Sequence, residues 1–299
     1  MDKVLRGLAR LPKEHFTVYL GAQGQNVFQP VASGPWSYYA DPFIWRYQGR
    51  MWLLVEEFEY LKNRGRLRCM PLDEKGVPGA PQSLIHLDCH ASFPFLFEYS
   101  GQLYMVPETS QGGYVDLFVC EDFPGTWRRL TRLMEGVDAA DTVVFEHQSR
   151  WWMITSMRED RRSAARWLAI YFCDDIFNPD WQTHPMNRMK QFDGTRYSTG
   201  RNAGAVIQSG GQLLRLAQHN RNYYGESVRV MQIETLTPTE FVEKPSAASN
   251  AVTDITQRYS PHHVSLHEGF IAFDIRDRVS YLQWFSKRHQ PARAGGLPG

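Results

Sequence analysis

ADPFIWRYQGRMWLLVEEF, residues 40–58, and SFPFLFEYSGQLYMVPETS, residues 92–110, decide the fold when one is laid over the other. Pro94 falls on Pro42, Gly101 on Gly49 and Glu108 on Glu56, all at one offset. In the first stretch two apolar runs flank Gln48-Gly49, the pattern of a β-hairpin. A third copy at 140–157, ADTVVFEHQSRWWMITSM, sets Asp141 on Asp41 and Trp151-Trp152 on Met51-Trp52. A fourth at 201–218, RNAGAVIQSGGQLLRLAQ, sets Gly211 on Gly49 and Gln218 on Glu56. The fifth, SPHHVSLHEGFIAFDIRD at 260–277, carries Gly269 at its turn.

Further strand-like runs follow the hairpins, at 66–71, 115–121, 168–173, 228–233 and 279–284. A hairpin with one or two outer strands, recurring every ~40 to 60 residues, predicts a propeller, whose blades cannot bury their faces alone and stack around an axis. A β-sandwich, the rival architecture, does not require registered repeats. The expected fold is all-β, a single five-bladed β-propeller over residues 1–285. A short amphipathic N-terminal helix is expected where Lys3, Arg6 and Arg10 alternate with Leu5, Leu8 and Leu11, and a flexible Pro/Gly-rich tail at 286–299.

Composition narrows the function classes. Among 299 residues, 33 Lys and Arg against 32 Asp and Glu give a charge of +1 with no like-charge block, so a nucleic-acid partner is not indicated. The apolar runs fall short of the ~20 residues that cross a bilayer, so no membrane span is expected. Four scattered cysteines make no C-x-x-C pair and read as reduced core thiols. With no secretory signal pattern at the N-terminus, a cytoplasmic location is the expectation. Phosphate-binding, serine-hydrolase, zinc-protease and dinucleotide fingerprints are absent from the sequence.

The first strand of a hairpin starts at the edge of the sheet where the second ends. Asp41, Asp141, Arg201, Asn202, His262 and His263 therefore meet Glu56, Glu57, Glu108 and Gln218 at one mouth of the axis. Carboxylates paired at a shared mouth are the equipment of glycoside hydrolysis, one kept protonated as acid and one ionised as base or nucleophile. The expected catalytic set is Asp41 as base, Glu108 as acid and Asp141 as the orienting group. The alternative for each aspartate is a cap on backbone amides near the axis. Trp36, Tyr38 and Tyr39 could stack on a sugar face or pack between blades. Glu57, His184, Asn187, Arg201, Asn202, Gln218, Tyr224, His262 and His263 complete the expected substrate-binding set. Adjacent histidines on a strand point to opposite faces, so one at most of His262 and His263 faces the pore. No metal-ligand spacing is present.

The strings HASFPFLF, GQLYMVPET, VDLFVCEDFPGTW, DAADTVVF, WQTHPMN, RNAGAVI, LLRLAQ and YGESV resemble the propeller domain at the N-terminus of glucosamine inositolphosphorylceramide transferases, over roughly residues 41–263. That domain is in turn similar to the five-bladed arabinanase, levansucrase and invertase superfamily, including glycoside hydrolase family 43. The resemblance implies a glycoside-hydrolase-like enzyme acting on a glycosidic bond or sugar conjugate, with Asp41 matching the base and Asp141 the aspartate that tunes the acid. In that pattern the acid lies beyond the second aspartate, whereas Glu108 precedes Asp141 and the fourth hairpin carries Arg201 and Gln218. The alternative is a non-catalytic carbohydrate-binding propeller that holds a sugar through Arg201 for a partner glycosyltransferase. Glu108 opposite Asp41 across an open pocket would favour catalysis, and Glu108 in a salt bridge with Arg201 would favour binding. No cofactor is required, and an axial calcium ion or water is compatible with the likeness.

Overall fold

The computed structural model describes residues 14–25, 27–158, 166–189, 200–246 and 251–277. The five hairpins are there, each built on a two-residue turn: Tyr47 pairs with Arg50, Tyr99 with Gln102, His147 with Arg150, Ser209 with Gln212 and His267 with Phe270. Both turn residues have positive φ in every case, for example 46° at Gln48 and 79° at Gly49. This mirror-image turn matches the right-handed twist of the flanking strands, and glycine takes its second position in four of the five at no steric cost.

Each hairpin forms the inner half of a four-stranded antiparallel sheet. Blade one is Ser37–Tyr47, Arg50–Glu59, Arg64–Pro71 and Gln82–Ser83, and blade two is Ser92–Tyr99, Gln102–Glu108, Tyr114–Asp122 and Thr126–Glu135. Blade three is Ala139–His147, Arg150–Met157, Trp167–Cys173 and Gln182–Thr183, and blade four is Ile207–Ser209, Gln212–His219, Ser227–Leu236 and Phe241–Pro245.

Blade five corrects one expectation. Its hairpin, His263–His267 and Phe270–Asp277, is completed by His15–Ala22 and Gln29–Pro30 from the other end of the chain. His15 pairs with Asp277 and Ala22 with Phe270, so the third strand of that blade is not the 279–284 run. Closing the ring in this way covers an edge that would otherwise present unpaired N–H and C=O groups. The run 279–284, the expected N-terminal helix and the 286–299 tail lie outside the described residues.

The second strands form the centre of the core. Leu53, Leu54 and Val55, then Met105 and Val106, then Met153 and Ile154, are all fully buried. The sequence reading also missed a helix, Ala251–Tyr259, which lays Val252 and Ile255 against the apolar residues of blades four and five.

Candidate functional site

The repeat marks a backbone irregularity as well as a hairpin. In blades one, two and three the inner strand carries a β-bulge, between Ala40 and Phe43, Ser92 and Phe95, and Ala140 and Val143. The bulged residues Asp41, Phe93 and Asp141 have φ of 49°, 46° and 51°. A positive φ is costly for residues with a side chain and is held only where the surroundings enforce it. A bulge turns an N–H out of its own ladder, and that donor needs an acceptor.

The acceptors come from neighbouring blades. Asp274 Oδ2 of blade five accepts Asp41 N at 3.0 Å, and Glu108 Oε2 of blade two accepts Asp141 N at 3.0 Å. Asn202 of blade four donates to the Asp141 carbonyl at 2.7 Å, and Val264 N of blade five donates to the Ala203 carbonyl at 2.9 Å. The carboxylate that ends a second strand thus ties down the bulge of the next blade.

Blade one breaks the rule. Glu56 occupies the place of Glu108 and Asp274, but the Phe93 N–H goes to Asp41 Oδ2 at 3.2 Å. Glu56 Oε1 is left buried without a hydrogen bond, with His90 Nε2 3.5 Å off, and Asp41 Oδ1 likewise lacks a hydrogen bond, with His262 Nδ1 3.6 Å off. A buried acceptor without a donor costs roughly 1–3 kcal/mol, more when charged, so both groups favour their protonated forms. Burial pushes Asp41 up to about 7, with His262 opposing the rise and Asp274 adding to it. Burial, then the Asp41 charge, lifts Glu56 well above the usual carboxylate range. Burial and then Asp141 raise Glu108, while Arg201 pulls it back.

An arginine and a histidine frame these carboxyls. Arg201 clamps Asp141 through Nε and, at 3.0 Å, through Nη2, lies 3.8 Å from Glu108 Oε2, and sits 4.9 Å from the centre of the Tyr224 ring. Burial alone would lower its pKa, but Asp141, Tyr224 and Glu108 outweigh that and raise it, so the guanidinium stays charged. His262 bridges Asp274 Oδ2 at 3.1 Å and the Tyr224 hydroxyl at 2.8 Å, with the Gln218 amide at 3.2 Å. Burial works against its charged form, yet Asp274 and Asp41 turn the net shift upward. Asp41, His262 and Asp274 could each offer one ligand atom within 4.8 Å of the others. Both Asp274 oxygens already accept N–H groups, Oδ2 from the Asp41 backbone and Oδ1 from His263 at 2.7 Å.

The structure brings together Asp41, Glu56, Glu108, Asp141, Arg201, Asn202, Gln218, Tyr224 and His262 of the residues expected at the mouth, and adds Asp274. Other residues lie apart. Glu57 points to the opposite blade face, where it pairs with Arg68 at 2.7 Å and accepts from Ser37, because alternate residues of a strand face opposite ways. His184 and Asn187 serve the outer edge of blade three. Both His184 nitrogens meet backbone, Thr237 O at 2.9 Å and Met186 N at 3.1 Å, and Asn187 pairs with both backbone groups of Ile170. His263 faces away from His262 and lies between Phe43 and Phe93, where burial drives its pKa down to about 3. Tyr38 stacks on Phe58 and Tyr39 is core, whereas Trp36 is 45% exposed beside the mouth end of blade one. Glu108 has its Oε1 on Ser110 and its Oε2 on Asp141 N, which places it in the Arg201 frame. The signal for Glu56 was its alignment with Glu108.

With this geometry in place, comparison with known proteins is informative. The family model for the N-terminal part of glucosamine inositolphosphorylceramide transferase 1 matches residues 28–260. The chain belongs to this family. Curated relatives include glucosamine inositolphosphorylceramide transferase 1 of Arabidopsis thaliana, 28% identical over 212 residues, covering 70% of this chain and 27% of that protein. The protein of the same name from Oryza sativa subsp. japonica is 26% identical over 215 residues, covering 71% and 28%. The chain thus aligns with little more than a quarter of these relatives. Among solved structures, a thermostable family-43 glycoside hydrolase matches with a TM-score of 0.54 at 12% identity, covering 79% of this chain and 86% of its own. A family 117 glycoside hydrolase from Zobellia galactanivorans matches with a TM-score of 0.52 at 10% identity, covering 89% and 91%. At such identities the likeness establishes the shared five-bladed fold.

Proposed function

We propose that the mouth of this propeller binds a carbohydrate and acts on a glycosidic bond or related sugar conjugate, with Asp41 and Glu56 as the proton-exchanging carboxyls. The observation that carries the reading is the pair of buried oxygens without a hydrogen bond, Asp41 Oδ1 beside His262 and Glu56 Oε1 beside His90, inside a ring where Glu108 and Asp274 are fully engaged. In hydrolysis, protonated Glu56 gives its proton to the glycosidic oxygen as the C–O bond breaks, and ionised Asp41 takes a proton from the attacking water. Asp141, Arg201 and Glu108 hold a fixed charge frame around the developing positive charge of the sugar. Family-43 and family-117 glycoside hydrolases on the same fold support the choice of bond, and the transferase name of the curated relatives supports a sugar ligand.

A second reading is favoured by one specific observation: Glu108, the acid expected from the sequence, is locked beside Arg201. On that reading the mouth binds sugar without cleaving it and presents it to a partner glycosyltransferase. A turnover screen of the wild type, Asp41→Asn, Glu56→Gln and Glu108→Gln on aryl glycosides and oligosaccharides separates the two. Turnover lost in Asp41→Asn and Glu56→Gln supports acid/base chemistry, and NMR of the first-formed anomer then reports inversion or retention. Sugar binding without turnover supports presentation.

A further inference from the structure

A cavity of about 610 Å³ opens between blades two and three, lined by Gly112, Gly113, Tyr114, Arg132, Glu135, Gly136, Val137, Asp138, Met157, Arg158 and Trp167. Every lining segment lies at the mouth end of its blade. Gly112 to Tyr114 follow the strand that ends at Glu108, Gly136 to Asp138 precede the strand that opens at Ala139, and Met157 closes the strand that begins at Arg150. The walls are held in place before any ligand arrives. Asp138 accepts Arg158 at 2.7 Å and Arg166 at 2.5 Å, and Arg166 also donates to the Ser156 carbonyl at 2.9 Å. Arg132 bonds Asp116 at 2.8 Å and Glu135 at 2.6 Å while its guanidinium covers the Tyr114 ring at 4.5 Å. Gly112 lies so close to the other side of that ring that an added Cβ would come within 2.5 Å of it.

Arg166 connects the cavity to the mouth. It braces the lining residue Asp138 from behind, and its charge acts on both Glu108 and Arg201. The chemistry of the lining selects a ligand class. Among the described lining residues two arginines, Arg132 and Arg158, stand against two carboxylates, Glu135 and Asp138, a balance that favours neither an anion nor a cation strongly. Locked guanidinium and carboxylate groups offer paired donors and acceptors to neighbouring hydroxyls, and the apolar faces of Trp167, Met157 and Val137 offer a surface for sugar C–H groups.

The geometry points to this cavity as a second sugar subsite, which takes the next neutral pyranose or furanose unit of a substrate whose first unit occupies the mouth. The inference rests on the carbohydrate reading of the mouth. It assigns to blades two and three the choice between a monosaccharide and a longer glycan.

Calorimetry of the full-length chain tests it, with xylose, arabinose, galactose and N-acetylglucosamine as monosaccharides and with the matching linear trisaccharides. A bound trisaccharide should hold at least about tenfold more tightly than its monosaccharide, the scale of one good aromatic and polar subsite. Trp167→Ala and Glu135→Ala should each remove most of that gain and leave the monosaccharide affinity within about twofold. Glu135 is 75% exposed at its side chain, so the second variant keeps the fold even where the first does not. Equal affinity for mono- and trisaccharides, or variants that change neither or both alike, overturns the subsite while the mouth reading stands. Failure of the wild type to bind any of these sugars overturns the mouth reading and the subsite with it.

Discussion

Replacing Arg201 by methionine keeps most of the side-chain volume and removes the charge that Asp141 and Glu108 share. Asp141 is 1% exposed and Glu108 8%, so neither carboxyl can recover its solvation from water. Removing one partner of a buried pair costs roughly 3–5 kcal/mol, because the partner left behind is an uncompensated charge. At roughly 2–4 °C per kcal/mol in a domain of this size, the melting temperature should fall by about 6–20 °C. The loss should depend on pH with a fixed sign. Arg201 holds Glu108 down against burial and Asp141, so its removal lifts the folded-state pKa of Glu108 still further above the unfolded value. A carboxyl raised in the folded state binds its proton more tightly there than in the unfolded chain. Stability therefore falls as pH rises from the unfolded pKa through the folded one. Urea titrations at pH 5 and pH 8 should show the larger deficit at pH 8. Adding Asp141→Asn to the variant should restore part of the loss, since no charge is then left unpaired at that position. A deficit below about 1 kcal/mol, equal at both pH values, would refute the clamp and return Arg201 to the role of a ligand-facing cation.

Three further outcomes follow from the same geometry. Asp41, at about 7 when folded, keeps a proton that the unfolded chain gives up near pH 4, so wild-type stability should decline between those values. Asp41→Asn should flatten that slope, by up to about 4 kcal/mol over the window, in urea titrations across pH 4 to 8. The rate on any glycoside substrate should rise with pH through about 7, as Asp41 ionises to act as base. Gly65→Ala should disturb Glu56 directly, because the added Cβ would lie 2.1 Å from Glu56 Oε1 and 2.7 Å from the Ala91 carbonyl. A cost of about 1–3 kcal/mol is expected by thermal denaturation, together with loss of any turnover. Deleting residues 14–25 should leave the Phe270–Asp277 edge unpaired and raise the aggregated fraction over that of the full chain in size-exclusion chromatography.

The repeat was legible because it is doubly enforced. Gly49, Gly101, Gly211 and Gly269 suit turns with positive φ at both central residues, and Asp41 and Asp141 sit on bulges that turn a donor towards a neighbouring blade. Glu108, which meets the Asp141 donor, could be placed at the mouth from its strand end, whereas Asp274, which meets the Asp41 donor inside the strand Phe270–Asp277, could not. Which of the two glutamates is free could not be read either, because Glu56 and Glu108 occupy equivalent positions and differ only in whether Asp41 has taken the next bulge amide. Glu57 was misplaced by a single position, which on a strand means the opposite face. The third strand of blade five was sought after its hairpin, by continuation of the earlier pattern. Ring closure supplies it from His15–Ala22, a pairing at long sequence separation that no local period reveals. His184 and Asn187 looked like substrate contacts because a polar loop carries no sign of the backbone groups it will meet.

The central claim is that Asp41 and Glu56 exchange protons with a bound sugar, and turnover of an oligosaccharide and aryl-glycoside panel by matched folded variants tests it most directly. The account predicts turnover by the wild type, a loss of at least about a hundredfold in both Asp41→Asn and Glu56→Gln, and a smaller loss in Glu108→Gln. Turnover that survives Glu56→Gln but disappears in Glu108→Gln would contradict it.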